Sequence, residues 1–167
     1  EEVRLIGLGE DLGRAYRKLA GELKSAATGA LAAGSRRLLG AYLVNLLSYP
    51  DRPWGNPPVV DPGTGAKVAV PPELSQDVLY PKEEELLRIV RKELAAGRRV
   101  FVYLVYTNTR DVSGRIEEVL ERAGFRVAVL KQSVPPKHRE GWLRNAVEKG
   151  AQVVPANAEL VKTGLDL

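Results

Sequence analysis

Apolar positions along residues 97–167 follow two alternating periods. Residues 100–106 are continuously apolar or aromatic and rich in β-branched side chains, the pattern of a strand buried on both faces. Residues 126–130 and 152–156 are shorter runs of the same kind. Between them Ile116, Val119 and Leu120 sit at helical spacing, as do Trp142, Leu143, Ala146 and Val147. The pattern predicts a βαβαβ alternation, hence a parallel sheet with right-handed crossovers. Ligands of such sheets sit outside the carboxyl ends of the strands. Those ends fall at 107–110, 131–133 and 157–166, where function is sought first. In the 2-1-3-4-5 order of doubly wound sheets, 100–106 is central and 126–130 and 152–156 lie on either side.

The first half reads differently. Leu12, Tyr16, Leu19, Leu23 and Ala30 form one helical stripe. Gly34-Ser35 reads as a glycine C-cap followed directly by a serine N-cap. A second helix then carries Leu38, Leu39, Tyr42, Leu43, Leu46 and Leu47, and stops at Tyr49-Pro50. The two helices predict an antiparallel pair. A proline-rich loop holding Trp54 follows, then a short hairpin around the turn at 61–66. Residues 71–81 are extended and proline-punctuated, a boundary between 1–80 and 81–167. A helix over 82–96 shows Leu86, Leu87, Val90 and Leu94 on one side.

Composition narrows the chemistry. Cysteine is absent and His138 is the one histidine, which disfavours thiolate or histidine metal sites and a cysteine nucleophile. No run approaches the roughly 20 apolar residues of a membrane span, and no signal segment opens the chain, so a cytoplasmic protein with no membrane partner is expected. The net charge of +4 leans only slightly toward an anionic partner. Methionine is missing even at position 1, which leads us to expect a chain cut from a longer one.

The stretch GRRVFVYLVYTNTRDV, the second βα unit, and VVPANAELVKTGLDL resemble the second, C-terminal RecA-like domain of superfamily-two helicases and Swi/Snf-type translocases. The first matches the motif IV region and the last motif V, with the chain stopping after it. The resemblance covers the chain from Pro81 onward. It implies an α/β fold, an incomplete RecA-like three-layer parallel sheet with three core strands, preceded by the antiparallel helix pair and hairpin. It also implies a nucleic-acid partner, DNA as first choice, ATP and Mg in the parent protein, and a first RecA-like domain as companion. Thr107, Asn108, Thr109 and Arg110 stand where motif IV meets a nucleic-acid backbone. Their own chemistry allows that, since short donors at a strand end suit a phosphate. Capping of a helix starting near Arg110, by Asn108 or Thr109, is the compatible alternative. Asn157 stands where the family often carries Thr or Ser, and Thr163 is the next candidate for a phosphate. Gly164 and Asp166 match the family's nucleotide-facing Gly-x-Asp.

Lys131, Lys137, Arg139, Arg144 and Lys149 outnumber Glu140 and Glu148, as a backbone-tracking patch or as a solvated helix face. Lys131 and Arg139 are the positions taken as nucleic-acid-binding. Trp142 reads as core before it reads as a base-stacking platform. The turn DPGTGAK lacks the order G-x-x-x-x-G-K-[ST] of a phosphate loop, and Walker B and motif VI are also missing, so no catalysis is expected from this chain alone. A non-catalytic nucleic-acid-binding module and an interaction scaffold built on the helix pair are the alternatives. The strand at 152–156 would end the sheet unpaired, so a symmetric dimer through that edge, or cover by the hairpin, is expected.

Overall fold

The computed structural model describes residues 2–105 and 110–161. It divides into two compact units, Glu1–Lys82 and Glu83–Leu167.

In the first unit α1 (Glu10–Ala32) buries Leu12, Ala15, Leu19, Leu23 and Ala27. Gly34 closes it in a left-handed conformation, with Gly34 N donating to Leu31 O and Ser35 N to Ala30 O. This is the expected glycine cap. Ser35 is not an N-cap: α2 (Leu38–Ser48) starts three residues later behind Arg37, without a side-chain cap. The predicted leucine face of α2 also splits. Leu38 and Leu46 are buried, while Leu39, Leu43, Val44 and Leu47 are exposed. The buried face runs instead through Leu38, Asn45, Leu46 and Ser48.

The hairpin is as read: β1 (Val59–Val60) pairs antiparallel with β2 (Lys67–Ala69). The Asp61 carboxylate accepts from Gly63 N at 2.7 Å, and Gly65 takes a positive φ in the turn. Val59 and Ala69 pack into the α1 core. The stretch expected to be an extended boundary is folded into that core as well. Trp54 stacks on Tyr80 with ring centroids 6.0 Å apart, Tyr49 Oη donates to Pro72 O at 2.8 Å, and Leu74 N donates to Pro53 O. Tyrosine and tryptophan bodies bury large areas while their polar tips find carbonyls, which draws a proline-rich segment inward.

In the second unit α3 (Pro81–Ala95) leads into β3 (Val100–Leu104), α4 (Ser113–Arg122), α5 (Arg139–Glu148) and β4 (Val153–Asn157). β3 and β4 are parallel, from Val100 opposite Val153 to Leu104 opposite Asn157. Val153 packs with Leu87, Val90, Val119 and Leu120 of α3 and α4. Ala156 packs with Leu130 and Trp142, the latter from α5. The two faces of the sheet are thus covered by different helices, and the three-layer α/β architecture holds.

The strand order differs from expectation. Residues 126–130 bridge to β4, not to β3, at Val127 with Val153 and Leu130 with Ala156. The 152–156 strand is therefore central and its core is buried, while β3 is the outer one, with Tyr103 53% exposed. The order 1-3-2 fits neither doubly wound prototype. It removes the open edge at 152–156, and with it the ground for the dimer or hairpin cover expected there. It also corrects the reading of 100–106 as buried on both faces.

Residues 126–130 are not a continuous strand, and Pro155 explains why. Ala128 N donates to Val153 O and Leu130 N to Pro155 O. In a parallel ladder the N–H of position 155 would return to Ala128 O. Proline has none, so the ladder breaks between the two bridges.

Candidate functional site

The carboxyl ends of the strands open into a crevice of about 650 Å³ lined by Leu104, Asp111, Ser113, Glu117, Lys131, Asn157 and Glu159, among others. Sheet geometry places it: β3, β4 and the 126–130 segment all end here, and α4 begins here. Of the predicted residues, Lys131 and Asn157 are brought together in it. Thr107, Asn108, Thr109, Thr163, Gly164 and Asp166 lie outside the described residues.

Asn157 has a local task. Its Oδ1 accepts from Glu159 N at 2.7 Å, capping the short 3-10 turn Ala158–Leu160. Asn108 and Thr109, the expected caps of a helix near Arg110, lie outside the described residues. The helix begins at Ser113, and Asp111 serves it: Oδ1 accepts from Ser113 N and Oδ2 from Ser113 Oγ, both at 2.9 Å. A carboxylate already occupies the positive end of α4. Arg110 is half-buried and engaged within the protein.

The cations of the basic patch have different tasks. Arg139 is structural, its Nη1 donating to Leu160 O at 2.7 Å and its Nε to Val134 O. It ties the start of α5 to the turn after β4. Arg144 pairs with Glu140 at 2.8 Å, one turn away. Lys131 remains exposed at the crevice.

The described lining therefore sets Asp111, Glu117 and Glu159 against Lys131. These charges are those of the described residues alone, since 106–109 and 162–167 lie outside them. Among the same residues no cluster of three or more His, Asp or Glu is arranged to hold a metal ion. Nor is any helix long and apolar enough to cross a membrane.

Sequence reasoning missed a buried ion pair between α3 and α4. Glu83 on the first turn of α3 and Arg115 on the first turn of α4 form a two-pronged ion pair, Nε–Oε1 2.7 Å and Nη2–Oε2 2.9 Å. Both side chains are under 10% exposed. The signal was present. Glu83 lies four and seven residues before Leu87 and Val90, and Arg115 four before Val119, so each charge sits on its helix's apolar stripe.

Comparison with known proteins adds a relationship. The chain is 33% identical over 96 residues, 55% of its length, to the ATP-dependent RNA helicase RhlB of Xanthomonas axonopodis pv. citri. The match to RhlB of Xanthomonas campestris pv. campestris has the same extent, and that of Xanthomonas oryzae pv. oryzae is 32% identical over 96 residues. The chain spans about 16% of the length of these relatives. No family model and no solved structure matches. Each relative is an RNA helicase by name, and the similarity supports a helicase-related domain in this chain.

Proposed function

We propose that this chain is part of a helicase-like, nucleic-acid-dependent ATPase, and that its second unit supplies a section of the nucleic-acid track and one wall of the nucleotide cleft. The observation that carries this reading is the similarity to RhlB; the strand-end crevice is where it would act. The relatives move the first choice of nucleic acid from DNA to RNA. Contact with phosphate would rest on Lys131 and on Thr107, Asn108, Thr109 and Thr163, and contact with nucleotide on Gly164 and Asp166. The carboxylates of the crevice suit sugar hydroxyls rather than phosphates, since ionised carboxylates only accept hydrogen bonds. ATP and Mg belong to the parent protein in this reading, as does the companion domain.

Two outcomes test it. The chain alone is expected to release no inorganic phosphate from ATP above the buffer blank, with or without RNA. RNA-stimulated release by homogeneous protein would overturn the expectation that this chain alone does no catalysis. Single-stranded RNA is expected to bind weakly and to fade with salt. Lys131→Glu should weaken that binding about threefold at low salt, as loss of one charge contact does. An unchanged affinity would remove Lys131 from the track.

The scaffold reading keeps one observation in its favour, the exposed stripe Leu39, Leu43, Val44 and Leu47 on α2. Apolar stripes of this kind mark contact surfaces. Sedimentation of Leu43→Glu/Leu47→Glu against the parent chain would show whether the stripe drives self-association.

A further inference from the structure

A second concavity, of about 750 Å³, runs beside α5 where the sheet ends at the 126–130 segment. Its lining includes Arg126, Lys137, His138, Trp142, Asn145 and Lys149, and among the described residues it contains no carboxylate. The contrast with the acidic crevice at the strand ends is direct. We propose that this groove is a binding site for single-stranded nucleic acid, separate from the strand-end contacts: its cations take the backbone and Trp142 stacks a base.

Three features support the assignment. The cations are available: the side chains of Lys137 and Lys149 are exposed and enter no ion pair or hydrogen bond among the described residues. Arg126 is held in place, its Nε donating to Gly150 O at 2.7 Å. A Cβ at Gly150, whose φ is 88°, would stand 3.3 Å from the Arg126 guanidinium carbon, so the side chain would have to give slightly. The groove is also long enough. Lys137 and Lys149 bracket α5, about 18 Å apart at 1.5 Å per residue, the rise of roughly five nucleotides of one strand at about 3.4 Å each. Finally, Trp142 is only half-buried, packed on the Leu130 cluster while lining the groove. A cationic groove with an aromatic platform is how single strands are held without sequence preference.

An acidic peptide adding itself as a strand is the competing occupant. It needs a regular edge to pair with, and the 126–130 segment offers only two isolated bridges on its inner side. A duplex would keep its base faces stacked away from Trp142.

The test uses the chain as it stands and a labelled twelve-nucleotide oligouridylate. Lys137→Glu/Lys149→Glu should weaken binding at least tenfold at low salt. It should also flatten the log–log salt dependence by about 1.4, two single-strand contacts at roughly 0.7 each. Arg91→Glu/Lys92→Glu on α3 makes the same change in net charge and should cost less than threefold. In a Trp54→Phe background the remaining tryptophan, Trp142, should be quenched by RNA, and the quench should vanish with the groove reversal. Equal losses in the two double variants would reduce the effect to net charge. Unchanged affinity in the groove variant would leave its cations as guards of a strand edge. Displacement of RNA by polyglutamate with the same Trp142 quench would hand the groove to acidic peptides. Loss of binding in Lys131→Glu alone, with the groove variant intact, would overturn the groove and leave the strand-end reading standing. The reverse pattern would do the opposite.

Discussion

Arg115→Ala is expected to destabilise the second unit by about 3–5 kcal/mol, the loss seen when one member of a buried ion pair is removed. The reason is the group left behind. Glu83 is 6% exposed, and without the guanidinium its carboxylate loses two charge-assisted hydrogen bonds while still shielded from water. A domain of this size holds only about 0.05–0.15 kcal/mol per residue in all, so a large share of its stability would go. Replacing both partners, as Glu83→Leu/Arg115→Met, should recover most of the loss, because an apolar pair of similar volume does without the desolvation cost. Urea unfolding followed at Trp142, with Trp54→Phe as background, measures both. A loss below about 1 kcal/mol would mean that the pair behaves as a solvated surface bridge. The pair also matters for the crevice. It joins the first turns of α3 and α4, and α4 contributes Ser113, Gly114 and Glu117 to the lining.

What the sequence disclosed, and what it hid, divides along the range of the interactions. Helix stripes and strand runs depend on near neighbours, so α1, the hairpin, β3 and β4 are legible in outline. Strand order depends on which run wins the central place, and period alone does not decide that. The run at 152–156 is the shorter, yet Val153, Val154 and Ala156 are all under 4% exposed. The longer run at 100–106 leaves Tyr103 facing solvent. Pro155 carried a readable warning, since proline in an inner strand removes a ladder bond, and its consequence is the broken segment opposite.

The site was legible in position and less so in character. Looking at strand ends found the crevice, because the fold itself makes that place. Counting cations around α5 did not separate their roles. Arg139 is spent on two carbonyls and Arg144 on Glu140, whereas Lys137 and Lys149 are not so engaged. Spacing shows the Arg144–Glu140 pair, one turn apart, but not the task of Arg139, which only the turn after β4, brought back against α5, reveals. The acidic lining was hidden for the same reason. Asp111 and Glu117 both belong to the start of α4, and only the sheet brings Glu159 to them.

The first unit should lose stability selectively between pH 10 and pH 12, and Tyr49 is the cause. Its phenol is 1% exposed. Burial, then the neighbouring charges of Tyr80 and Glu73, push its pKa up to about 12 from the ordinary 10.0. A raised pKa means that the fold prefers the neutral phenol, which donates to Pro72 O. That preference stabilises fully below pH 10, where the unfolded chain is also neutral. It is lost as pH climbs toward 12, because the unfolded chain ionises first. At about 1.4 kcal/mol per unit the loss comes to roughly 3 kcal/mol. Tyr49→Phe should start about 1 kcal/mol below the parent at pH 8, for the hydrogen bond and the carbonyl left unpaired. It should then stay flat where the parent falls, so that the two stabilities cross near pH 11. Urea unfolding read at Trp54, which packs in the same core, gives both curves in one series. Other groups titrate equally in the two proteins and cancel in the difference. Curves that run parallel from pH 8 to pH 12 would show that Tyr49 ionises in the folded unit as freely as in the unfolded chain.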